Sequence, residues 1–294
     1  MDKVTEKQNP KSKDLDTLSV NEILTVINNE DKLVSQCIEN SIPIISELVQ
    51  AVIDQFHNNG KLFYVGCGTS GRLGVLDAAE CPPTFNVSSD LFNGIIAGGN
   101  DALVKSIENA EDSINMGKNS IINANINEND IVIGISASST ANFVVGALKE
   151  SKKRGCLTAL ITFNKVKKYK YIDYIISTIV GPEIISGSTR MKSGTATKMI
   201  LNMISTSVMI KMNKTYGNLM VDLKVSNFKL LDRAVRIISQ LTSKSYADSE
   251  NILNEAGGNV KIAVVMSRLN KTLEESKKII ESSNGSLRKI IGSN

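Results

Sequence analysis

The stretch "LFYVGCGTSGRLGVLDAAECPPTF", Leu62 to Phe85, decides the fold. It reads as a strand, a glycine-rich turn and a helix, and it contains a literal G-x-G-x-x-G at Gly66, Gly68 and Gly71. Three sites could be built on such a turn. A nucleotide P-loop needs Lys and then Ser or Thr after its last glycine, and here Arg72 and Leu73 follow Gly71. A dinucleotide fingerprint needs a ribose-binding acid about twenty residues on, and Asp90 stands there. The segment ahead of Asp90, "FNVSS", is however a poor buried strand. The third site is a phosphate monoester cradle. Thr69 and Ser70 place two hydroxyls among the backbone N–H groups of a helix N-terminus, which is favourable for an anion.

Further along, short apolar runs alternate with helical stretches: "GIIAGG", "DIVIGIS", "LTALITF" and "YIISTIV". Strands that are nearly continuous in apolar character, with helices between them, imply an α/β fold with a parallel sheet covered on both faces. Residues 17 to 56 read as helical, with Ser19 as an N-cap. After Thr189 the chain is helical to its end, with breaks at Gly257 to Asn259 and Ser283 to Ser286. The expected organisation is an N-terminal helical segment (1–50), a sheet domain (51–226) and a small helical domain (227–294).

The run "DIVIGIS" leads into Ser136, Ala137, Ser138, Ser139 and Thr140 and then a helix. Serines are common turn and capping residues, so one such loop says little. Two Ser/Thr-loaded strand-to-helix turns favour one ligand, a sugar phosphate, at the carboxyl edge of the sheet. Gly68, Thr69, Ser70, Gly71, Ser136, Ser138, Ser139 and Thr140 are therefore candidate substrate contacts. "GSTRMKSGTATK", Gly187 to Lys198, is a third polar helix entrance. Capping explains one or two of its hydroxyls; Arg190 and Lys192 add anion recognition, so Ser188 and Lys192 join the candidates.

Two carboxylates stand out. Pro82 and Pro83 are expected to stop the helix, leaving Glu80 at its C-terminal end, where the dipole disfavours a negative charge. In "NDALVKSIENAEDSIN", Leu103, Ile107, Ala110 and Ile114 form an apolar stripe at helical spacing. Glu111 flanks that stripe, while Glu108 and Asp112 face water.

Composition excludes several functions. A formal charge of +4 from 34 basic and 30 acidic residues, scattered and with few aromatics, is not a nucleic-acid footprint. The single histidine, His57, and four widely spaced cysteines without a C-x-x-C argue against a His/Cys zinc site and against Ser-His-Asp chemistry. No apolar run is long enough to cross a bilayer, and the first thirty residues lack a signal peptide's apolar core. A reduced, cytoplasmic protein with no metal and no cofactor is expected.

"YVGCGTSGRLGVLDAAECPPTF", "GIIAGG", "AEDS" and "GPEIISGSTRMKSGTATKMILNMIST" followed by "YGNLMVDL" closely resemble N-acetylmuramic acid 6-phosphate etherases, within the sugar-isomerase (SIS) fold group. The likeness runs from "DLDTLSVNEIL" to "GGNVKIAVVM". It implies an SIS sheet, a homodimer, and cleavage of the D-lactyl ether of N-acetylmuramate 6-phosphate to N-acetylglucosamine 6-phosphate and D-lactate. The family's catalytic glutamates carry over to Glu80, as the acid on the departing oxygen, and Glu111, as the partner for the C2 proton and water. One departure is plain: Ser139 to Phe143 replace the Gly-Arg-Thr-Pro-Tyr run usual after the loop serine. The helix from Ser70 to Glu80 spans roughly 15 Å. Either it breaks early and the "ECPPTF" turn folds back, or Glu80 serves the site of the other subunit. Since the resembled fold group commonly dimerises, the second is expected. Two other readings use parts of the same pattern. A non-catalytic sugar-phosphate regulator would keep the Ser/Thr loops without the glutamates, and an NAD-dependent oxidoreductase rests on Gly66, Gly68, Gly71 and Asp90.

Overall fold

A computed structural model describes residues 3–292. Five parallel strands form one sheet in the order β2-β1-β3-β4-β5: β1 (Leu62–Gly66), β2 (Phe92–Ile96), β3 (Ile131–Ile135), β4 (Leu157–Thr162) and β5 (Tyr174–Ser177). β1 and β3 are buried along their whole length, as two-sided cover requires. The order reverses between β1 and β3, so the carboxyl ends of these strands flank the crevice where open α/β sheets bind ligands.

The chain divides into two compact units. The first comprises residues 1–79 and 90–205; the second comprises 80–89 and 206–294. The boundary expected after residue 226 thus falls inside the second unit, and the expected segment 1–50 belongs to the first.

In the first unit, α1 (Val20–Glu39) starts at Ser19, which makes a full capping box with Glu22. α2 (Ile42–His57) packs on β5. α3 (Gly68–Phe85) begins in this unit and ends in the other. The short α4 (Asp101–Val104) and α5 (Ile114–Asn123) follow β2, and α6 (Asn142–Lys153) follows β3. The core here joins Phe63, Val65, Ile121, Val132, Phe143, Ala147 and Leu160. α7 (Lys192–Lys211) crosses from the first unit into the second.

The second unit is helical: α8 (Phe228–Thr242), α9 (Tyr246–Glu255), α10 (Val260–Leu269), α11 (Leu273–Ser282) and α12 (Leu287–Ile291). Asn227, Ser245, Asn259 and Thr272 cap α8 to α11 through side-chain acceptors. Val235, Ile238, Leu253, Val260 and Val264 form its core. The breaks expected at 257–259 and 283–286 are where α9 and α11 end.

Candidate active site

The three glycines of the turn after β1 do different work. Gly68 sits at φ +52°, a conformation that side chains disfavour. Gly66 and Gly71 allow close approach, because a Cβ on Gly66 would lie 2.7 Å from the Gly71 nitrogen. α3 therefore starts hard against the end of β1, with Thr69 and Ser70 in its first turn. Asp90 lies ahead of β2, at the opposite, amino edge of the sheet, near Lys61 at 3.9 Å. The dinucleotide pattern fails on this point, since its acid must follow the second strand.

At the end of β3, Ser136 is buried and its Oγ accepts from the Ala141 N–H at 3.4 Å, closing the loop from within. Ser138 and Thr140 turn outward, their hydroxyl oxygens 2.9 Å apart. Ser139 stands at φ +62°, which explains why the resembled family usually places glycine there. Ala141, the N-cap of α6, supplies no side-chain cap. Asn164, after β4, donates to the Ala137 carbonyl at 3.0 Å and holds the loop from below.

Glu111 does not lie on a helix. α4 stops at Val104 and α5 starts at Ile114, so Glu111 belongs to the loop between them. Asn109 at φ +59° breaks the helical path, and Ser113 caps α5 by accepting from the Met116 N–H. The apparent stripe misled because Ile107 and Ile114 are 41% and 46% exposed. The loop is docked onto the start of α6: the Phe143 N–H donates to the Glu111 carbonyl at 2.9 Å, and the Asn142 side-chain amide donates to the Asp112 carbonyl at 3.1 Å. α5 and α6 hold this contact through reciprocal glycines. A Cβ on Gly117 would lie 1.9 Å from the Phe143 carbonyl oxygen, and one on Gly146 2.1 Å from that of Ile114. Arg72 fixes the other end by donating to the carbonyls of Leu103 and Lys105.

These elements enclose a cavity of about 430 Å³ lined by Cys67 and Gly68 from the turn, Arg72, and Ser106, Glu111 and Asp112 from the loop. Burial pushes the Cys67 thiol up to about 12, and the negative charges of Glu111 and Asp112 add to it. Cys67 therefore stays a neutral thiol.

Glu80 lies five residues before the end of α3, not at its terminus. The helix runs through Pro82 and Pro83 to Phe85, closed by the Asn86 N–H on the Pro82 carbonyl at 2.8 Å and ended by Asn86 at φ +48°. The prolines lack N–H groups for the carbonyls behind them, but so near the end the helix survives the loss. The dipole argument for Glu80 accordingly loses its force. Three residues earlier, Asp77 was not anticipated. Burial raises its carboxyl, while hydrogen bonds from Asn202, Tyr64 and Ser205 oppose the rise.

The third helix entrance is already occupied by the protein itself. Glu183, fully buried, accepts from the Lys192 and Ser193 N–H groups at 2.9 Å each and so neutralises the start of α7. The Lys192 side chain is 1% exposed and its ammonium donates to Glu30 at 2.7 Å. Lys192 thus forms a buried ion pair and presents no charge to a ligand. Burial alone would raise the Glu30 carboxyl; hydrogen bonds from Lys11, Lys192 and Asn9 overcome this and hold it at about 2. Ser188 lies in the preceding loop, half-buried, its N–H on the Ile185 carbonyl.

Among the described residues no group of three His, Cys, Asp or Glu side chains is placed to hold a metal, and no helix is long and apolar enough to cross a membrane.

Residues 44–152 match the family model of the glucokinase regulatory protein N-terminal SIS domain, and 217–257 that of the C-terminal lid domain of glucokinase regulatory protein. Among solved structures, phosphoheptose isomerase from Neisseria gonorrhoeae is similar at a TM-score of 0.49 and 14% identity, over 65% of this chain and 98% of that one. An N-acetylmuramic acid 6-phosphate etherase of Oceanobacillus iheyensis is 48% identical, covering 97% of both chains. One of Clostridium acetobutylicum is 46% identical over 99% of this chain and 96% of that protein. Identity at this level over nearly the whole length of both chains means that the chain belongs to the N-acetylmuramic acid 6-phosphate etherase family.

Proposed function

We propose that this chain cleaves the D-lactyl ether of N-acetylmuramic acid 6-phosphate, releasing D-lactate and N-acetylglucosamine 6-phosphate. The observation that carries the proposal is the cavity in which Glu111 faces the glycine turn after β1, in a chain of this family. In the open-chain sugar the C1 aldehyde acidifies the C2 proton. Glu111 takes that proton, the C3–O bond breaks, and Glu80 protonates the departing lactate oxygen. Water then adds to C3, giving up the proton that restores Glu80, and Glu111 returns its proton to C2. Each transfer needs a placed acid or base with a pKa near the working pH. Thr69 and Ser70 at the start of α3, and Ser138 and Thr140 before α6, are the proposed phosphate contacts. Ser136 and Ser139 shape that loop.

On an unbroken α3, Ser70 and Glu80 stand roughly 15 Å apart along the axis, more than a bound hexose easily spans. We therefore assign Glu80 to the site of a second copy, in a homodimer. The four cysteines are free thiols, in keeping with a reducing cytoplasm. The deciding experiment incubates pure protein with N-acetylmuramic acid 6-phosphate and assays D-lactate. Sugar-phosphate binding without lactate release would mark a regulator instead.

A further inference from the structure

We propose that the N-terminal segment delivers Lys3 as the cation of the phosphate loop. This rests on the reading above, in which Ser138 and Thr140 hold the phosphate. The loop itself, Ser136 to Phe143, contains no lysine or arginine. The charge comes instead from the far end of the sequence: the Lys3 ammonium donates to Thr140 Oγ1 at 3.0 Å, and that oxygen lies 2.9 Å from Ser138 Oγ. An ammonium is thus seated on the hydroxyl pair assigned to the phosphate.

The backbone that carries Lys3 is anchored. Thr5, two residues on, is fully buried. Asn164 grips it twice, donating to Thr5 Oγ1 at 3.0 Å and accepting from the Thr5 N–H at 3.3 Å. The same Asn164 amide donates to the Ala137 carbonyl of the serine loop, so one side chain sets the segment and the loop in register. The Gly187 N–H donates to the Thr5 carbonyl at 3.2 Å, and Asn9 is tied to Glu30 and to the Pro182 carbonyl. Only the lysine side chain need adjust when an anion arrives. A compact ammonium with three donors suits a phosphate monoester oxygen, where it forms a charge-assisted bond stronger than its bond to a hydroxyl. Lys3 so selects the phosphorylated sugar over the neutral one.

The test compares wild type with Lys3→Met and Lys3→Arg, using N-acetylmuramic acid 6-phosphate for kinetics and N-acetylglucosamine 6-phosphate and inorganic phosphate as binding probes. Lys3→Met should raise KM roughly tenfold with kcat within about twofold, the loss of one hydrogen bond to a charged group. It should also weaken competitive inhibition by inorganic phosphate, and flatten the rise of KM with added salt. Lys3→Arg should recover most of the affinity, and the melting temperature without ligand should stay at the wild-type value. An unchanged KM and phosphate inhibition in Lys3→Met, with wild type active, would overturn the assignment. If wild type itself neither releases lactate nor is stabilised by N-acetylglucosamine 6-phosphate, the phosphate-site reading fails first and takes this inference with it.

Discussion

Replacing Gly117 by alanine tests how the fold positions Glu111. The new methyl would sit 1.9 Å from the Phe143 carbonyl oxygen and 2.7 Å from its carbon. That is roughly 1.5 Å inside an ordinary contact, and the obstacle is backbone, which cannot rotate away. α5 and the start of α6 must therefore separate by about that distance. Phe143 is also the residue whose N–H holds the Glu111 carbonyl at 2.9 Å, so the displacement breaks the bond that docks the acid loop. Overpacking of this kind costs about 1–3 kcal/mol, and a misplacement of about 1 Å at a reacting group costs roughly a hundredfold in rate. The expected result is a folded protein with a lowered melting temperature and kcat for lactate release down about 10- to 100-fold. Ile121→Val, also in α5 and fully buried, supplies the control: it loses about 1 kcal/mol without moving the helix and should keep its kcat. The reasoning is refuted if Gly117→Ala is destabilised to the same degree as the control and still turns over at the wild-type rate.

Acid should expose the Glu30 latch. Its carboxyl is held at about 2 against an ordinary 4.5, so its stabilising contribution is complete above pH 4.5 and lost as the pH falls toward 2. That contribution is about 3 kcal/mol. Glu30→Gln should melt lower than wild type at neutral pH and lose less between about pH 5 and 3; equal slopes in the two proteins would sink the assignment. Ser138→Ala should raise KM roughly tenfold at nearly constant kcat, as expected of phosphate contacts shared by ground and transition states. A fall in kcat alone would contradict it. Ser139→Gly relieves a left-handed serine at φ +62° and should raise stability by roughly 1 kcal/mol in a thermal melt, with no gain if the strain is absent. Finally, at substrate concentrations well below KM, mixing Glu80→Ala chains with Ser138→Ala chains should raise activity above either parent, because one hybrid site then has both intact parts. Hybrid dimers without recovery would place each site within one chain.

The sheet was legible because each strand is a short apolar run closed by a turn signal. "DIVIGIS", for example, becomes β3 with the Ser loop directly behind it. The glycine turn was legible for the same reason, since Gly66 and Gly71 stand where backbone must approach backbone and Gly68 takes a left-handed φ. Glu111's setting was hidden. The spacing of Leu103, Ile107, Ala110 and Ile114 is helical, yet a left-handed Asn109 and the Ser113 cap outweigh it. The helix through Pro82 and Pro83 was hidden too, because so near the helix end only two N–H groups are lost and the last turn still closes with the Asn86 N–H on the Pro82 carbonyl. Asp77, Asn142 and Asn164 act through partners far away in sequence, and no local pattern announces such contacts.

The same limit explains why two helix entrances that look alike in sequence differ in kind. "SASSTAN" before α6 and "GSTRMKS" before α7 are both crowded with hydroxyls, and both helices direct a positive dipole end at them. At α7 the chain provides its own anion, Glu183, from nine residues upstream, and the adjacent Lys192 is neutralised by Glu30. That entrance is charge-balanced and buried, so it contributes to the fold. At α6 one N–H goes to the Glu111 carbonyl, the N-cap is an alanine without an acceptor, and the outward hydroxyls of Ser138 and Thr140 meet an ammonium rather than a carboxylate. A positive helix end with an ammonium on its outward hydroxyls is an arrangement suited to a phosphate dianion. Whether an entrance binds a ligand is therefore decided less by its own serines than by whether a carboxylate from elsewhere in the chain has already taken the N–H groups.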